Sequence, residues 1–203
     1  VSIPIITSNR INTPEVAEEV LEAGCADMVS MARPFLADAN FMKKTISGNE
    51  KKIAPCIACN QACLDHTFSG KISSCLVNPK ACFETELLST TALNKKLVAV
   101  VGSGPAGMSA AIEAAERGHQ VTLFEKAQVI GGQLNLAKMV PGKEEFWGLV
   151  DWFEEMLKSS GVDVRLGKSV TSTDVIGFDD IIVATGVNPV SYTHLTLPTI
   201  SCG

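Results

Sequence analysis

The chain has 203 residues, of which 46% are hydrophobic and 19% are charged, and its formal net charge is -5. This composition predicts an ordinary globular protein with enough apolar residues for one or two cores. The acidic balance, without a basic stripe, argues against a nucleic-acid-binding surface. The sequence contains no run of ~18 apolar residues that would indicate a membrane span, and residues 1–10 lack the pattern of a secretory signal. Seven cysteines in such a chain favour metal ligation in a reducing compartment, so we expect a cytoplasmic protein.

Residues 1–45 have the pattern of a strand, a helix and a second strand. The apolar run SIPIIT (residues 2–7) predicts a strand buried on both faces, and ADMVSMA (residues 26–32) predicts its neighbour. Between them, Thr13 and Pro14 are typical of a helix start and Gly24 of a helix end. Because one such unit cannot cover its own strands, we expect the chain to be an internal part of a longer protein.

Two arginines follow these predicted strands, Arg10 after the first and Arg33 after the second. In βα barrels the loops after the last strands often bind phosphate through backbone amides and an arginine side chain. The alternative is that each arginine pairs with a surface carboxylate, which is common at strand ends. The residues alone leave both interpretations open.

Residues 46–95 contain a cluster of cysteines. Cys56, Cys59 and Cys63 have the spacing C-x2-C-x3-C, Cys75 follows after eleven residues, and Cys82 comes next. Soft thiolate ligands select iron-sulfur clusters, zinc or copper(I), and four cysteines commonly hold an iron-sulfur cluster. Structural zinc is the alternative, although it favours two C-x2-C pairs and the second pair is absent. Unrelated buried thiols or disulfides are the remaining possibility.

Residues 96–189 have the pattern of a dinucleotide-binding domain. An apolar strand over residues 97–101 leads into a G-x-G-x-x-G turn, and a helix then runs to Gly118. A second strand over residues 120–124 ends at Glu125, at the spacing of the acid that binds a ribose. That acid disfavours the 2′-phosphate of NADP at this turn and leaves FAD and NAD open. The turn consists of Gly102, Ser103, Gly104, Pro105, Ala106 and Gly107.

Further elements are predicted after this unit. The pair Gly131-Gly132 before Gln133 offers backbone freedom for a second phosphate or flavin contact. Residues 144–161 show an apolar stripe at helical spacing, whose aromatic side chains we assign to the core rather than to flavin stacking. Two strands follow, over residues 162–167 and 179–186. The second strand ends in a small-residue turn, Ala184-Thr185-Gly186, that permits close backbone approach.

In this order the motifs resemble the old-yellow-enzyme-like iron-sulfur flavoproteins, the group that includes 2,4-dienoyl-CoA reductase, trimethylamine dehydrogenase and 2-enoate reductase. The resemblance rests on VSMARPFLAD, CIACNQACLD, CLVNPKAC, VAVVGSGPAGMSAA, VTLFEK, IGGQLNLAK, PGKEEF and IIVATG. It implies an α/β protein in three parts. These are the C-terminal end of a (β/α)8 FMN barrel in residues 1–45, an iron-sulfur segment in residues 46–95, and an incomplete Rossmann-like FAD domain in residues 96–189.

The resemblance also implies cofactors and their ligands. A [4Fe-4S] cluster is implied on Cys56, Cys59, Cys63 and Cys75. FAD is implied on the turn from Gly102 to Gly107 and on Glu125, Lys126, Gly132 and Gln133. The FMN phosphate is implied on Arg10, Ala32 and Arg33. NADPH is implied as the reductant, through a domain that the chain does not include.

The implied activity is reduction of an unsaturated acyl-CoA through a relay from FAD to the cluster to FMN, with a small-molecule substrate. The resemblance assigns no catalytic residue within the chain. Two alternatives remain: an iron-sulfur and FAD module that passes electrons to a separate partner, or a relative acting on another enoate or an amine. Residues 190–203 carry no element signals, and we interpret them as a non-native tail.

Overall fold

The computed structural model describes residues 2–187 and has a mixed α/β architecture with two parallel sheets. The strands are β1 (Ile6–Ser8), β2 (Met28–Ser30), β3 (Leu97–Val101), β4 (Gln120–Phe124), β5 (Asp163–Arg165) and β6 (Asp180–Val183). The helices are α1 (Pro14–Glu22), α2 (Arg33–Ala37), α3 (Phe41–Ile46), α4 (Leu64–Phe68), α5 (Pro105–Glu116), α6 (Leu134–Ala137) and α7 (Glu145–Ser159), with a 3-10 turn at Glu50–Lys52. None of the helices described is long and apolar enough to cross a membrane. The predicted tail, residues 190–203, lies outside the described residues.

Strands β1 and β2 form a separate two-stranded parallel sheet joined by α1. The predicted helix start is confirmed, since the Thr13 hydroxyl oxygen accepts a hydrogen bond from the Val16 amide at 3.3 Å. The prediction that β1 is buried on both faces is wrong, because the side chains of Ile6 and Met28 are 58% and 50% exposed. Within residues 2–187 each of these two strands pairs only with the other, so the sheet presents an open apolar edge.

The four-stranded sheet has the order β5-β4-β3-β6, and all of its strands are parallel. The chain runs outward from β3 through β4 to β5 and then returns to the other side of β3 with β6. The direction of winding therefore reverses beside β3. In open α/β sheets this reversal creates a crevice at the carboxyl ends of the strands, where ligands bind.

The largest core of the described residues lies between this sheet and helices α5 and α7. Val100, Met108 and Leu123 are fully buried, and Phe153 and Leu157 of α7 pack against them. The prediction that the aromatic stripe belongs to the core is confirmed for Phe153. Each such side chain contributes roughly 1.5–3 kcal/mol when it leaves water.

A polar network fixes the connection between the small sheet and α7. The carboxylate of Asp38, which is 6% exposed, accepts hydrogen bonds from Lys44 Nζ at 2.5 Å and from the Ala54 amide at 2.9 Å. Lys44 Nζ and Trp152 Nε1 both donate to the carbonyl oxygen of Lys52, at 2.7 and 3.1 Å. Buried polar groups need such partners. The network therefore holds the chain that leads into the cysteine segment against α7.

Candidate functional site

The glycine turn lies at the carboxyl end of β3, in contact with the end of β6. Gly102 has φ +104°, and a Cβ placed on it would lie 2.4 Å from the carbonyl oxygen of Ala184. The Ala184 amide donates to the carbonyl oxygen of Val101 at 2.8 Å. A side chain at Gly102 is therefore excluded both by backbone conformation and by the neighbouring strand. The predicted close approach of the small-residue turn after β6 is confirmed.

The other two glycines of the turn have different surroundings. A Cβ on Gly107 would lie 1.9 Å from the carbonyl oxygen of Gly102, so this glycine allows α5 to pack against the turn. Gly104, at the N-cap of α5, has no atom within 4 Å of an added Cβ. Open space beside backbone at the start of a helix is where a pyrophosphate approaches in dinucleotide-binding folds. The residues present therefore fit a dinucleotide.

A second glycine-rich loop packs against this turn. The Gly131 amide donates to the carbonyl oxygen of Ser103 at 2.9 Å, and a Cβ on Gly132 would come within 3.1 Å of the Gly104 Cα. Gln133 Nε2 donates to the carbonyl oxygen of Val187 at 3.2 Å. The structure thus brings together the residues of both predicted loops. Two further residues of the turn, Pro105 and Ala106, are exposed in the first turn of α5, and Lys126 is exposed after β4.

Glu125, at the end of β4, contacts the glycine turn. Its carboxylate, in a side chain that is 8% exposed, accepts hydrogen bonds at 2.8 Å from the Ser103 amide, the Ser103 hydroxyl and the Ala127 amide. Burial acts to raise the pKa of Glu125, but these hydrogen bonds outweigh it and hold the pKa below its ordinary value. The carboxylate thus couples the two strands that flank the crevice, and its contact with a ribose stays a prediction.

We expect Glu125→Gln to destabilise the protein in a pH-dependent way. Because the folded-state pKa of Glu125 is lowered, its stabilisation is present above the unfolded pKa of ~4.3 and is lost as pH falls through the folded value. The amide of glutamine cannot accept from all three donors, which costs about 1–3 kcal/mol near neutral pH. Urea unfolding of both proteins between pH 3 and 7 measures the difference.

Exposed Glu116 at the end of α5 provides the matched control. Glu116→Gln should leave the free energy of unfolding nearly unchanged at every pH. An unchanged free energy of unfolding in Glu125→Gln would contradict this role of Glu125. So would a difference in free energy between Glu125→Gln and the unsubstituted protein that grows as the pH falls.

Four cysteines line one cavity in the segment between the two sheets. This cysteine cavity is formed by Cys56, Cys59, Cys63 and Cys75, together with Arg33, Leu36, Ile57, Asn60, Ala62 and Leu76. Cys25 and Cys82 are exposed and are not among the residues that line it. The structure therefore brings together the four cysteines implied as cluster ligands.

The backbone of the C-x2-C-x3-C turn is shaped by two left-handed residues. Ala58 has φ +52° and Asn60 has φ +61°. A left-handed conformation costs roughly 1–2 kcal/mol at a residue such as alanine. The Ser74 amide donates to the carbonyl oxygen of Ala62 at 2.7 Å, which brings the chain before Cys75 onto the turn. Strain of this kind persists only where the surrounding structure imposes it.

The possible metal ligands in the cysteine cavity are four thiols. Burial raises the pKa of Cys56 and of Cys75, so metal binding must displace their protons. Within residues 2–187, no group of three or more His, Cys, Asp or Glu side chains is arranged to hold one metal ion. The four cysteines around this cavity supply the four thiolates that an iron-sulfur cluster takes. Zinc also accepts four thiolates, so the donor set fits either centre.

A third cavity lies at the carboxyl ends of β1 and β2. This strand-end cavity is lined by Ser8, Asn9, Arg10, Ile11, Asn12, Ser30, Met31, Ala32, Arg33 and Pro34. It contains all three residues implied for the FMN phosphate. Arg10 also has another partner, because its Nη2 donates to Glu145 Oε1 of α7 at 2.5 Å. The carboxylate pairing that the sequence left open is therefore observed for Arg10.

Arg33 lines both the strand-end cavity and the cysteine cavity. Its Nη1 donates to the side-chain oxygen of Asn60 at 2.7 Å. Sequence reasoning missed this partner, although asparagine is among the few residues that tolerate a left-handed φ in the middle of a cysteine turn. It also missed Glu145 as the partner of Arg10, since 135 residues separate the two.

Two protein families match different parts of the chain. Residues 96–198 match the family described as pyridine nucleotide-disulphide oxidoreductase. Residues 1–52 match the family described as NADH:flavin oxidoreductase / NADH oxidase.

Individual relatives align along nearly the whole chain. A metal reductase of Desulforamulus reducens is 41% identical, with 94% of this chain and 30% of that protein covered. The structure of 2-naphthoyl-CoA reductase with 2-naphthoyl-CoA has a TM-score of 0.91 at 34% identity and covers 95% of this chain and 30% of its own. Histamine dehydrogenase from Rhizobium sp. 4-9 has a TM-score of 0.83 at 29% identity, covering 96% and 30%. The chain thus spans about 30% of the length of these relatives.

Proposed function

Because the chain belongs to the pyridine nucleotide-disulphide oxidoreductase family, we propose that it is part of a flavin-dependent NAD(P)H oxidoreductase with an iron-sulfur cluster. The prediction of a flavin oxidoreductase is confirmed at the level of the family. The proposal adds FAD at the glycine turn, a [4Fe-4S] cluster in the cysteine cavity, FMN at the strand-end cavity and NADPH as reductant. With these groups bound, a cluster carries single electrons between two flavins that each exchange two.

The residues of the chain have distinct roles in this proposal. Gly104 leaves room for a pyrophosphate beside the α5 N-terminus, and Glu125 and Gln133 border the same crevice. Cys56, Cys59, Cys63 and Cys75 supply four thiolates from one turn and one loop. Arg33 supplies positive charge to the anion at the strand ends, while Arg10 divides its charge between that cavity and Glu145.

One observation carries the proposal: the cysteine turn and the dinucleotide-binding unit share a cavity. Cys59 and Ile57 of the cysteine turn line it together with Pro105 and Ser109 of α5 and Phe146 of α7. An electron carrier is useful only when it lies next to the group with which it exchanges electrons. A structural zinc site has no such need for proximity. The shared cavity therefore favours a redox role for the cysteine segment.

For the complete protein we propose reduction of an unsaturated acyl-CoA, as in a 2,4-dienoyl-CoA reductase. The likeness to 2-naphthoyl-CoA reductase supports a thioester substrate. The likeness to histamine dehydrogenase supports the second candidate, oxidation of an amine. A cytoplasmic location is part of the proposal, since the described cysteines are free thiols in the structure.

The test is an anaerobic assay of the complete protein expressed from its full reading frame. Oxidation of NADPH and NADH is followed at 340 nm with a 2,4-dienoyl-CoA or cinnamate as the electron acceptor. Oxidation of histamine is followed in a separate assay, without NAD(P)H, by the reduction of an artificial dye that accepts the electrons. We expect oxidation that depends on the dienoyl-CoA and is faster with NADPH. Turnover of the amine alone would transfer the assignment to the second candidate, and a protein without any flavin-dependent turnover would contradict both.

A further inference from the structure

One side chain, that of Arg33, lines both the strand-end cavity and the cysteine cavity. Arg33 begins α2 directly after Ala32, at the strand-end cavity, and its guanidinium extends to the cysteine cavity. No other residue lines both of these cavities among the described residues. A charge at this position acts on whatever occupies either cavity.

The guanidinium is also held in place. Arg33 Nη1 donates to Asn60 Oδ1 at 2.7 Å, and Asn60 has φ +61° between Cys59 and Cys63. A hydrogen bond from a charged donor is stronger than one between neutral groups, so it fixes the side chain of the left-handed Asn60. Arg33 therefore stabilises the shape of the cysteine turn as well as its electrostatic surroundings.

We propose that Arg33 is a positioning residue that couples an anion in the strand-end cavity to the reduction of a cluster in the cysteine cavity. The inference rests on the proposed function, because it requires that a cluster forms. Positive charge beside a cluster favours the reduced state, which carries one more negative charge. An anion that pairs with the guanidinium cancels part of this effect, so anion binding and cluster reduction oppose one another.

The experiment uses the full chain after anaerobic reconstitution with iron and sulfide and removal of the excess. The midpoint potential of the cluster is measured by a dithionite titration followed in the visible range, with and without inorganic phosphate as the redox-silent probe. For the unsubstituted chain we expect phosphate to shift the potential downward. For Arg33→Gln we expect a lower potential without phosphate and no further shift when phosphate is added.

Two other variants separate charge from geometry. Arg33→Lys keeps the charge and should keep the potential near that of the unsubstituted chain. Arg117→Gln removes a charge that lines neither cavity, so it should leave the phosphate-free potential nearly unchanged. Asn60→Gly keeps the left-handed backbone, removes the acceptor of Arg33 and should reduce the phosphate-induced shift.

The coupling is overturned if Arg33→Gln keeps the potential of the unsubstituted chain, or if phosphate still shifts that variant. It is also overturned if Arg117→Gln lowers the potential as much as Arg33→Gln does. If Arg33→Gln assembles no cluster, the phosphate-induced shift is compared among Arg33→Lys, Asn60→Gly and the unsubstituted chain. The coupling is then overturned if phosphate shifts the potential of Asn60→Gly as far as that of the unsubstituted chain. A chain that builds no cluster even without substitution overturns the proposed function itself, which is a distinct result.

Discussion

We expect Gly107→Ala to destabilise the dinucleotide-binding unit severely. The added Cβ would lie 1.9 Å from the Gly102 carbonyl oxygen, and this oxygen belongs to a backbone that β6 holds in place. Since neither α5 nor the turn can move without opening the core, the cost is about 3 kcal/mol or more. Urea unfolding of the full chain measures it as a lower midpoint with an unchanged slope.

Gly104→Ala is the matched control from the same turn. Its Cβ would meet no atom within 4 Å, and its backbone has φ −69°, which alanine adopts without strain. We therefore expect unchanged or slightly higher stability, by up to ~1 kcal/mol, because the unfolded chain loses freedom. The methyl group would occupy the space that we assign to a pyrophosphate. FAD binding should weaken by about 100-fold, or ~2.7 kcal/mol.

The two substituted positions lie within four residues of sequence, yet Gly107→Ala should lower stability whereas Gly104→Ala should weaken FAD binding. Fluorescence titration of each folded variant with FAD gives the dissociation constant beside the unfolding data. If Gly104→Ala binds FAD as tightly as the unsubstituted chain, the assignment of the pyrophosphate to this turn is wrong. If Gly107→Ala is as stable as the unsubstituted chain, the steric account of the turn is wrong.

The second large effect concerns iron. We expect Cys75→Ala to lose most of its iron after anaerobic reconstitution, because a cluster held by four thiolates does not survive well with three. Cys82→Ala is the control, since Cys82 is exposed and does not line the cysteine cavity. It should retain the full iron content and the visible absorption of the unsubstituted chain. Iron and acid-labile sulfide per chain are measured by colorimetric assay.

The opposite pattern would identify a different ligand set. Equal iron in both variants would remove Cys75 from the ligands, and equal loss would indicate that Cys82 takes part. Zinc instead of iron in the unsubstituted chain, lost in Cys75→Ala, would support the zinc alternative that the spacing left open.

The dinucleotide-binding unit was largely predictable because its signals are local. The strand over residues 97–101, the glycine turn, the strand over residues 120–124 and the helix beginning near Glu145 all lie where the patterns indicate. Each depends on short-range rules, such as buried apolar runs, left-handed glycines and helical spacing of Leu149 and Phe153.

The remaining features depend on contacts between distant residues. The burial of β1 was mispredicted because its apolar sequence is suited to a buried strand, whereas its actual exposure depends on which elements pack against it. The link between Arg33 and Asn60 joins two segments whose spacing in sequence carries no signal. The contact between Arg10 and Glu145 connects the small sheet to α7 in the same way. Such pairings become visible only when the packing of the elements is known.

The central claim is that one chain holds a flavin site beside an iron-sulfur site. Its most direct test is the iron, sulfide, zinc and FAD content of the full chain after anaerobic reconstitution, with absorption spectra before and after dithionite. We predict about four irons and four sulfides per chain, as a [4Fe-4S] cluster requires, with bound FAD and a visible band that dithionite bleaches. One tightly bound zinc ion, no flavin and no bleaching would contradict the claim.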